Sequence, residues 1–94
     1  MKEGLFLKIT IIVPSLNPDE KLLKVIDELV SAGFENIIVV NDGSDKEKEH
    51  YFKTIEKYKV CTVLKHSQNL GKGRALKTAF IFKFNFFNAF ITPT

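Results

Sequence analysis

The sequence predicts an α/β fold: a three-layer α/β/α, Rossmann-like domain whose sheet is doubly wound and mainly parallel. Residues 37–40, Ile-Ile-Val-Val, lack polar alternation, as in a strand that helices cover on both faces. Apolar strand segments also alternate with apolar stripes of helical period along the chain. The 94 residues, of which 45% are hydrophobic and 27% charged, suit one small globular domain spanning residues 1–94.

The first strand and helix follow from local signals. Residues 8–13 are rich in β-branched side chains, and Pro14 is expected to end that strand because it has no N–H group for a ladder. Asn17 is a candidate N-cap with Glu20 at capping-box spacing, and Gly33 is the expected left-handed end of the helix. The apolar stripe of this helix comprises Leu22, Leu23, Ile26, Leu29 and Val30.

The same alternation continues after the second strand. Ser44 and Glu47 repeat the capping-box spacing before a second helix, residues 60–64 read as a third strand, and a third helix is expected from Lys72 to about residue 84. The second helix should bury Tyr51, Phe52, Ile55 and Tyr58, and the third should bury Ala75, Leu76, Ala79 and Phe80.

The carboxyl-terminal segment is unusually aromatic. Six of the nine Phe residues lie within residues 80–90, which neither a helix nor a half-exposed strand would bury completely. One interpretation is a helix end followed by a short fourth strand around residues 89–91. The alternative is an interface in residues 80–90 to a dimer partner, to missing chain or to a membrane surface.

Composition limits the cellular setting. The apolar run in the opening residues is too short for a secretory signal. No run reaches the ~18–20 apolar residues of a membrane span, so a cytoplasmic protein is expected. Cys61, the single cysteine, lies in an expected strand and is interpreted as a buried hydrophobe. Residues 65–94 carry four Lys, one Arg and no acid, which suits an anionic ligand such as a nucleotide diphosphate or a nucleic acid.

Three polar segments should meet at one edge of the sheet, because each follows a strand and the carboxyl ends of parallel strands lie together. These segments are residues 14–17, 41–44 and 69–74. In the second, Asp42 could accept the imide N–H of a uracil, although an Asx turn before a helix would also explain an acid there. In the third, the Gly-rich loop with Lys72 and Arg74 suits a diphosphate at a helix start, but it lacks the spacing of a Walker loop.

These segments define the candidate nucleotide site. Its predicted residues are Pro14, Ser15, Leu16, Asn17, Asp42, Gly43, Ser44, Gly71, Lys72, Gly73 and Arg74. The sequence offers no candidate catalytic residue and no metal-ligand spacing, and His50 and His66 are interpreted as ordinary surface or rim groups.

The segments ITIIVPSLN, IIVVNDGSD and NLGKGRALKTAF, in this order over about residues 8–80, carry a family resemblance. The chain resembles the amino-terminal part of the large inverting family of glycosyltransferases that use nucleotide-diphospho-sugars on a GT-A fold, the family of dolichyl-phosphate sugar synthases and many polysaccharide synthases. The resemblance implies that Asp42 reads uracil, that residues 14–17 line the base and that residues 71–74 lie near the diphosphate.

Two departures accompany the resemblance. Leu16 stands where the family usually has an aromatic residue, and Pro18 stands where it usually has an acid. Residues 90–94 resemble the approach to the family's Asp-x-Asp metal motif without the motif itself. For the full-length protein the resemblance implies a UDP- or GDP-sugar donor, an acceptor hydroxyl or lipid phosphate, an Mg²⁺ or Mn²⁺ ion, and a cytoplasmic location that allows association with a membrane. The ligands of that ion are absent from this chain, so residues 1–94 alone should be inactive.

Other functional classes remain open at this point. A non-catalytic α/β interaction or nucleotide-binding module is the main alternative, although a receiver domain would carry an acceptor Asp where Lys65 and His66 stand. Nucleic-acid binding through the basic half is less favoured and predicts strong salt dependence with indifference to UDP. A nucleotidyltransferase would have a richer glycine loop directly after the first strand than PSLNP.

Overall fold

A computed structural model describes residues 9–91 of the chain, with side chains through residue 83. Within this range three parallel strands alternate with three α-helices, which confirms the predicted fold class. The strands are β1 (Thr10–Ser15), β2 (Asn36–Asp42) and β3 (Cys61–His66), and the helices are α1 (Glu20–Ser31), α2 (Glu49–Ile55) and α3 (Lys72–Ile91). A short 3-10 helix, Lys46–Lys48, precedes α2.

Strand β2 is the centre of the described sheet, whose order is β1-β2-β3. Ile37 to Asp42 are all buried, as the absence of polar alternation predicts for a strand covered on both faces. The strand is longer than predicted, because Asn41 and Asp42 continue the ladder instead of opening a turn. In the register of β2 with β3, Asp42 lies beside His66.

The helices form layers on both faces of the sheet. Successive strand side chains point to opposite faces, so Ile37 and Val39 contribute to one core and Ile38 and Val40 to the other. The first core also contains Ile26 of α1 and residues of α2, and the second is completed by α3. The α2 members of the first core are Phe52 and Ile55, and the α3 members of the second are Ala75 and Ala79.

Strand β1 does not end where the sequence predicts. It continues through Pro14, which pairs with Val40, to Ser15. Proline is tolerated because β1 is at the edge of the described sheet, where a missing N–H group removes no bond if it points away from β2. The predicted start of this strand at Lys8 lies outside the described residues.

Helix α1 begins two residues later than predicted. Its N-cap is Asp19, whose Oδ1 accepts a hydrogen bond from the backbone N–H of Lys21 at 2.9 Å. The predicted cap, Asn17, stands before it with a positive φ of 49°. The predicted end is confirmed, since Gly33 has φ 101° and its N–H group donates to the carbonyl of Val30.

Helix α2 also starts differently from its prediction. Ser44 does not cap it: the 3-10 helix intervenes, and Lys48 occupies the N-cap position of α2 without a side-chain bond. The predicted buried face is confirmed for Phe52 and Ile55, while Tyr51 is half-buried and Tyr58 packs at the margin of the core.

Helix α3 is longer than predicted and rotated differently. It runs to Ile91, so the suggested fourth strand at residues 89–91 is wrong. Ala75 and Ala79 are fully buried as predicted, but Leu76 and Phe80 are 43% and 63% exposed. Consecutive helix positions are about 100° apart, so a helix that turns Ala75 and Ala79 toward the sheet carries Leu76 and Phe80 away from it. Nowhere in residues 9–91 is a helix both long enough and apolar enough to span a bilayer.

Candidate functional site

A pocket of about 300 Å³ opens at the carboxyl edge of the sheet. It is formed by all three segments that the sequence places at this edge: the end of β1, the end of β2 and the loop before α3. Its lining residues are Pro14, Ser15, Leu16, Asp42, Asn69, Gly71 and Lys72. Five of the predicted site residues do not line it: Asn17, Gly43, Ser44, Gly73 and Arg74.

Asp42 organises this edge. It is the last residue of β2, and its side chain is buried. Its Oδ1 accepts hydrogen bonds from His66 Nδ1 at 2.8 Å and from the Leu70 backbone N–H at 2.9 Å. Its Oδ2 accepts from the Gly71 backbone N–H at 2.9 Å. One carboxylate therefore fixes both the end of β3 and the glycine loop that follows it.

These contacts stabilise the ionised form of Asp42. The hydrogen bond from the Leu70 backbone, followed by that from His66, lowers the pKa of the Asp42 carboxyl below its ordinary value, although burial opposes the shift. Asp42 is therefore a carboxylate at neutral pH, which can accept hydrogen bonds but cannot donate them.

His66 is a buried member of the site, so its interpretation as an ordinary surface or rim group is wrong. Its Nδ1 meets Asp42, and its Nε2 lies 2.8 Å from the Thr78 hydroxyl of α3. The parallel register is the reason, because it sets His66 beside Asp42 at the ends of two neighbouring strands. A histidine at the end of a predicted strand is only a weak signal, since the register is not readable from the sequence.

The turn after β2 is tied to the loop after β1 by reciprocal hydrogen bonds. The Asn17 backbone N–H donates to Ser44 Oγ at 2.8 Å, and Asn17 Oδ1 accepts from the Asp45 N–H at 2.8 Å. Asn41, the residue before the end of β2, closes the turn from the strand side, because its Oδ1 accepts from the Ser44 N–H at 2.9 Å. The Asx turn suggested for Asp42 would need the same Ser44 N–H, so it is not formed. Asn17 and Ser44 join the loop after β1 to the turn after β2 and do not line the pocket.

Gly43 allows the turn to approach the loop after β3. Its φ is +78°, and a Cβ atom placed on it would overlap the backbone of Gln68 and Asn69. No side chain fits there, so Gly43 is a requirement of the fold at this edge. Gly43 itself does not line the pocket, whose wall at this point is Asp42.

The glycine loop leads directly into α3. Gly71 has φ +98°, its N–H group also faces Asn69 Oδ1 at 3.0 Å, and its carbonyl accepts from the Ala75 N–H at 3.0 Å. The first N–H groups of a helix have no partner within it, so the amides of residues 72–74 are available to an anion. Asn69 lines the pocket but is absent from the predicted site residues. The one sequence feature that could have indicated it is its position two residues before Gly71.

Gly73 differs from the other two site glycines. It lies in the first turn of α3 without a positive φ, and a Cβ atom there would meet nothing within 4 Å. Neither backbone conformation nor internal packing therefore explains a glycine at this position.

The donor set does not fit the divalent cation that the resemblance implies. Among the residues that the structure describes, no three His, Cys, Asp or Glu side chains are grouped to hold a metal ion. The buried carboxylate of Asp42 is engaged in hydrogen bonds to His66, Leu70 and Gly71.

Comparisons with known proteins agree with this architecture. The sequence profile of glycosyl transferase family 2 matches residues 10–81, from the start of β1 into α3. The chain is also 36% identical over 72 residues to an uncharacterized protein of Methanocaldococcus jannaschii. That alignment covers 76% of this chain but only 28% of the relative, so the chain spans less than a third of the relative's length. No solved structure gives a significant match.

Proposed function

The chain belongs to glycosyl transferase family 2, and from this premise we propose that it is the nucleotide-sugar-binding part of an inverting GT-A glycosyltransferase. The donor is a UDP-sugar or a GDP-sugar, and the acceptor is a hydroxyl group or a lipid phosphate. The protein acts in the cytoplasm, and residues 1–94 alone bind the donor without transferring its sugar.

The observation that carries the proposal is the convergence of three loops on one pocket. The pocket combines an apolar wall, a buried carboxylate and a helix start with a lysine, contributed respectively by residues 14–16, Asp42 and Lys72. A nucleotide diphosphate needs all three: a surface for the base, an acceptor for its imide and positive potential for the phosphates.

The base is assigned to the wall beside Asp42. An ionised carboxylate has about four acceptor positions, and three are occupied by His66, Leu70 and Gly71. The remaining position, on Oδ2, is the one we assign to the imide N–H of uracil. Leu16 is 44% exposed at the rim and offers the base an apolar contact in place of an aromatic ring.

The diphosphate is assigned to the start of α3. The amides of residues 72–74 and the positive end of the helix dipole attract phosphate oxygens, and Lys72 adds a charge at the pocket wall. Arg74 is the second proposed charge partner. A ligand that lies against the first turn also accounts for Gly73, where a side chain would stand in open space.

Two proposed features belong to a longer protein. When bound, an Mg²⁺ or Mn²⁺ ion would neutralise charge on the diphosphate leaving group, and its ligands lie outside the described residues. In residues 80–90, the exposed side chains of Ile81 and Phe82 suit a contact with further chain or with a second copy.

A nucleotide titration tests the proposal. Amide NMR of the folded chain with UDP and with GDP, at two salt concentrations, should give saturable shifts at Asp42 and over residues 71–74. The affinity should fall as salt rises, because phosphate contacts at an exposed helix start are screened.

Charge variants locate the phosphates. Lys72→Ala should weaken UDP binding about tenfold, the value of one charge-assisted hydrogen bond. Lys77→Ala is the matched control: it removes the same charge from an exposed position on the same helix, away from the pocket. Equal losses in the two variants would indicate general electrostatic attraction and contradict the assigned phosphate site.

Two other outcomes would overturn parts of the proposal. A well-folded chain with no UDP or GDP shifts would contradict the nucleotide site, and nucleic-acid binding indifferent to UDP would favour another class. Detectable sugar transfer by residues 1–94 would contradict the proposed inactivity of this segment, whereas binding without transfer is the expected result.

A further inference from the structure

A row of three side chains joins the carboxyl end of the sheet to helix α3: the buried Asp42 and His66 and the half-buried Thr78. We propose that His66 is a positioning residue, which holds the Asp42 carboxylate and the Leu70 and Gly71 amides in fixed relation to α3. This inference rests on the proposed function in one respect: the pocket so positioned is the nucleotide site.

The geometry supports a rigid link. The His66 side chain is only 9% exposed, and each of its ring nitrogens has a partner at 2.8 Å, Asp42 Oδ1 on β2 and Thr78 Oγ1 on α3. An imidazole held at both nitrogens has a fixed ring plane. His66 itself ends β3, so three separate elements meet at this ring.

The row also fixes the positions of the protons. Ionised Asp42 cannot donate, so the proton in the His66–Asp42 hydrogen bond lies on His66 Nδ1. In the neutral ring, Nε2 is then an acceptor and the Thr78 hydroxyl donates to it, whereas in the imidazolium Nε2 donates to Thr78 Oγ1. In both forms Nδ1 carries a proton, so the geometry assigns the neutral ring the Nδ1–H tautomer, a property that can be measured directly.

The loop between β3 and α3 is closed by this row. His66 is the last residue before the loop, and Thr78 lies in the second turn of the helix after it. Asp42 holds the middle of the same loop through Leu70 and Gly71, and Leu70 shares Oδ1 with His66. If the His66 ring loses its hydrogen bond to Asp42 or to Thr78, the Asp42 carboxylate is no longer held in place. The two loop amides that donate to this carboxylate then shift with it.

His66 and Thr78 act through Asp42 and not on a ligand. Neither lines the pocket, and the half-buried Thr78, beside Ala75 and Ala79 on α3, directs its hydroxyl to His66 Nε2. The order Asp, His and hydroxyl is also that of a nucleophilic triad, but this hydroxyl lies outside the pocket lining and is not placed to attack a substrate there. Positioning is therefore the role that the placement supports.

Four variants separate the two hydrogen bonds. His66→Asn keeps a donor near the Nδ1 position and loses the contact with Thr78, whereas His66→Gln places an amide near Nε2 and loses the Asp42 contact. Thr78→Val removes the hydroxyl at nearly constant shape, and Thr78→Ser restores it. Thr54→Val is the matched control, because Thr54 is an exposed helical threonine whose hydroxyl donates to the His50 carbonyl in its own helix.

Two measurements on the chain without nucleotide test the link itself. Nitrogen-15 NMR of His66 should report the Nδ1–H tautomer. Amide hydrogen exchange at Leu70 and Gly71 should accelerate about tenfold in Thr78→Val and in His66→Gln, the effect of losing one net hydrogen bond, and should stay near the original rate in Thr78→Ser and Thr54→Val.

A UDP titration of the same variants tests the consequence for the pocket. Thr78→Val should bind UDP about tenfold more weakly than Thr78→Ser, with the rest of the amide spectrum unchanged. In a His66→Asn background, Thr78→Val should have no further effect, because the bond it removes is already lost.

The outcomes for this link are distinct from those for the proposed function. An Nε2–H tautomer, or exchange rates and UDP affinity within twofold of the original in Thr78→Val, would overturn the positioning role even if UDP binds. Failure of the original chain to bind UDP would overturn the proposed function, while tautomer and exchange rates would still decide whether His66 positions the loop.

Discussion

At the residue scale, the buried Asp42 carboxylate orders the loop before α3 by accepting hydrogen bonds from it. Two of its three donors are backbone amides of the glycine loop and the third is His66, so one ionised group holds two successive loop amides. An unpaired buried charge is costly, and here each contact satisfies the charge and orders the loop at once.

The lowered pKa of Asp42 predicts how the loop responds to acid. A carboxyl whose folded-state pKa lies below its unfolded value contributes stability that is fully present above the unfolded value, about 3.9, and is lost as the pH falls through the lower folded value. The protection factors for amide exchange at Leu70 and Gly71, which correct for the pH dependence of intrinsic exchange, should therefore stay high at pH 5 and fall only below about pH 4. Asp42→Asn should abolish this transition, and an unchanged acid response in that variant would assign it to another group.

The three site glycines should respond differently to alanine. Gly43→Ala should lower the free energy of unfolding by about 2 kcal/mol or more, because of its positive φ and the overlap with Gln68 and Asn69. Gly71→Ala should cost less, since only its φ is unfavourable. Gly73→Ala should raise stability by up to about 1 kcal/mol, because it is helical and open.

Urea unfolding of the three variants, with UDP affinity in parallel, checks this series. Gly73→Ala is the informative case, because a gain in stability with a loss of affinity would show that the glycine serves the ligand. A Gly73→Ala variant that binds UDP normally would contradict the close approach of the ligand to the first turn of α3.

At the element scale, the starts of the helices determine how the loops reach the pocket. Asp19 caps α1, which leaves Asn17 in a left-handed conformation to bridge the turn after β2. Asn is the natural residue for this task, since it tolerates a positive φ and its side chain carries an acceptor. The capping signals of the two residues are nearly the same, but their structural roles differ.

This division of roles gives a prediction for the two residues. Asp19→Ala should lower the free energy of unfolding by about 1 kcal/mol, as loss of an N-cap does, without altering the pocket. Asn17→Gly keeps the left-handed conformation but removes the acceptor, so exchange of the Asp45 amide should accelerate and the pocket wall should loosen. Thermal unfolding measures the stability loss in Asp19→Ala, and amide exchange measures the loosening in Asn17→Gly. A loss of helix stability in Asn17→Gly and none in Asp19→Ala would show that Asn17 is the cap.

At the scale of the whole molecule, the two faces of the sheet carry unequal cores over the side chains that the structure describes. The face under α1 and α2 buries Ile26, Phe52 and Ile55 against β2, whereas residues 72–83 of α3 contribute Ala75 and Ala79 to the buried core of the other face. Apolar area buried is the main source of stability, so we expect residues 72–83 of α3 to be held more weakly than the opposite layer.

Helix α3 should therefore open before the rest of the fold. We expect its amides over residues 76–82 to exchange faster than those of α1 and β2, in a step that also exposes Leu70 and Gly71. UDP at saturating concentration should slow amide exchange in α3 more than in α1, because UDP binds only when α3 is packed on the sheet and the site is formed. Equal exchange rates in the two layers would mean that contacts other than apolar burial hold α3.

The sequence by itself determined the alternation of strands and helices, the burial of β2 on both faces and the meeting of three loops at one edge. These depend on local periodicity and on the rule that parallel strands share their carboxyl ends. Only the tertiary structure decided that His66 lies beside Asp42, that Asn17 bridges instead of capping, and that Leu76 and Phe80 face outward. Strand register, loop pairing and helix rotation are set by contacts between residues far apart in the chain, which no local pattern records.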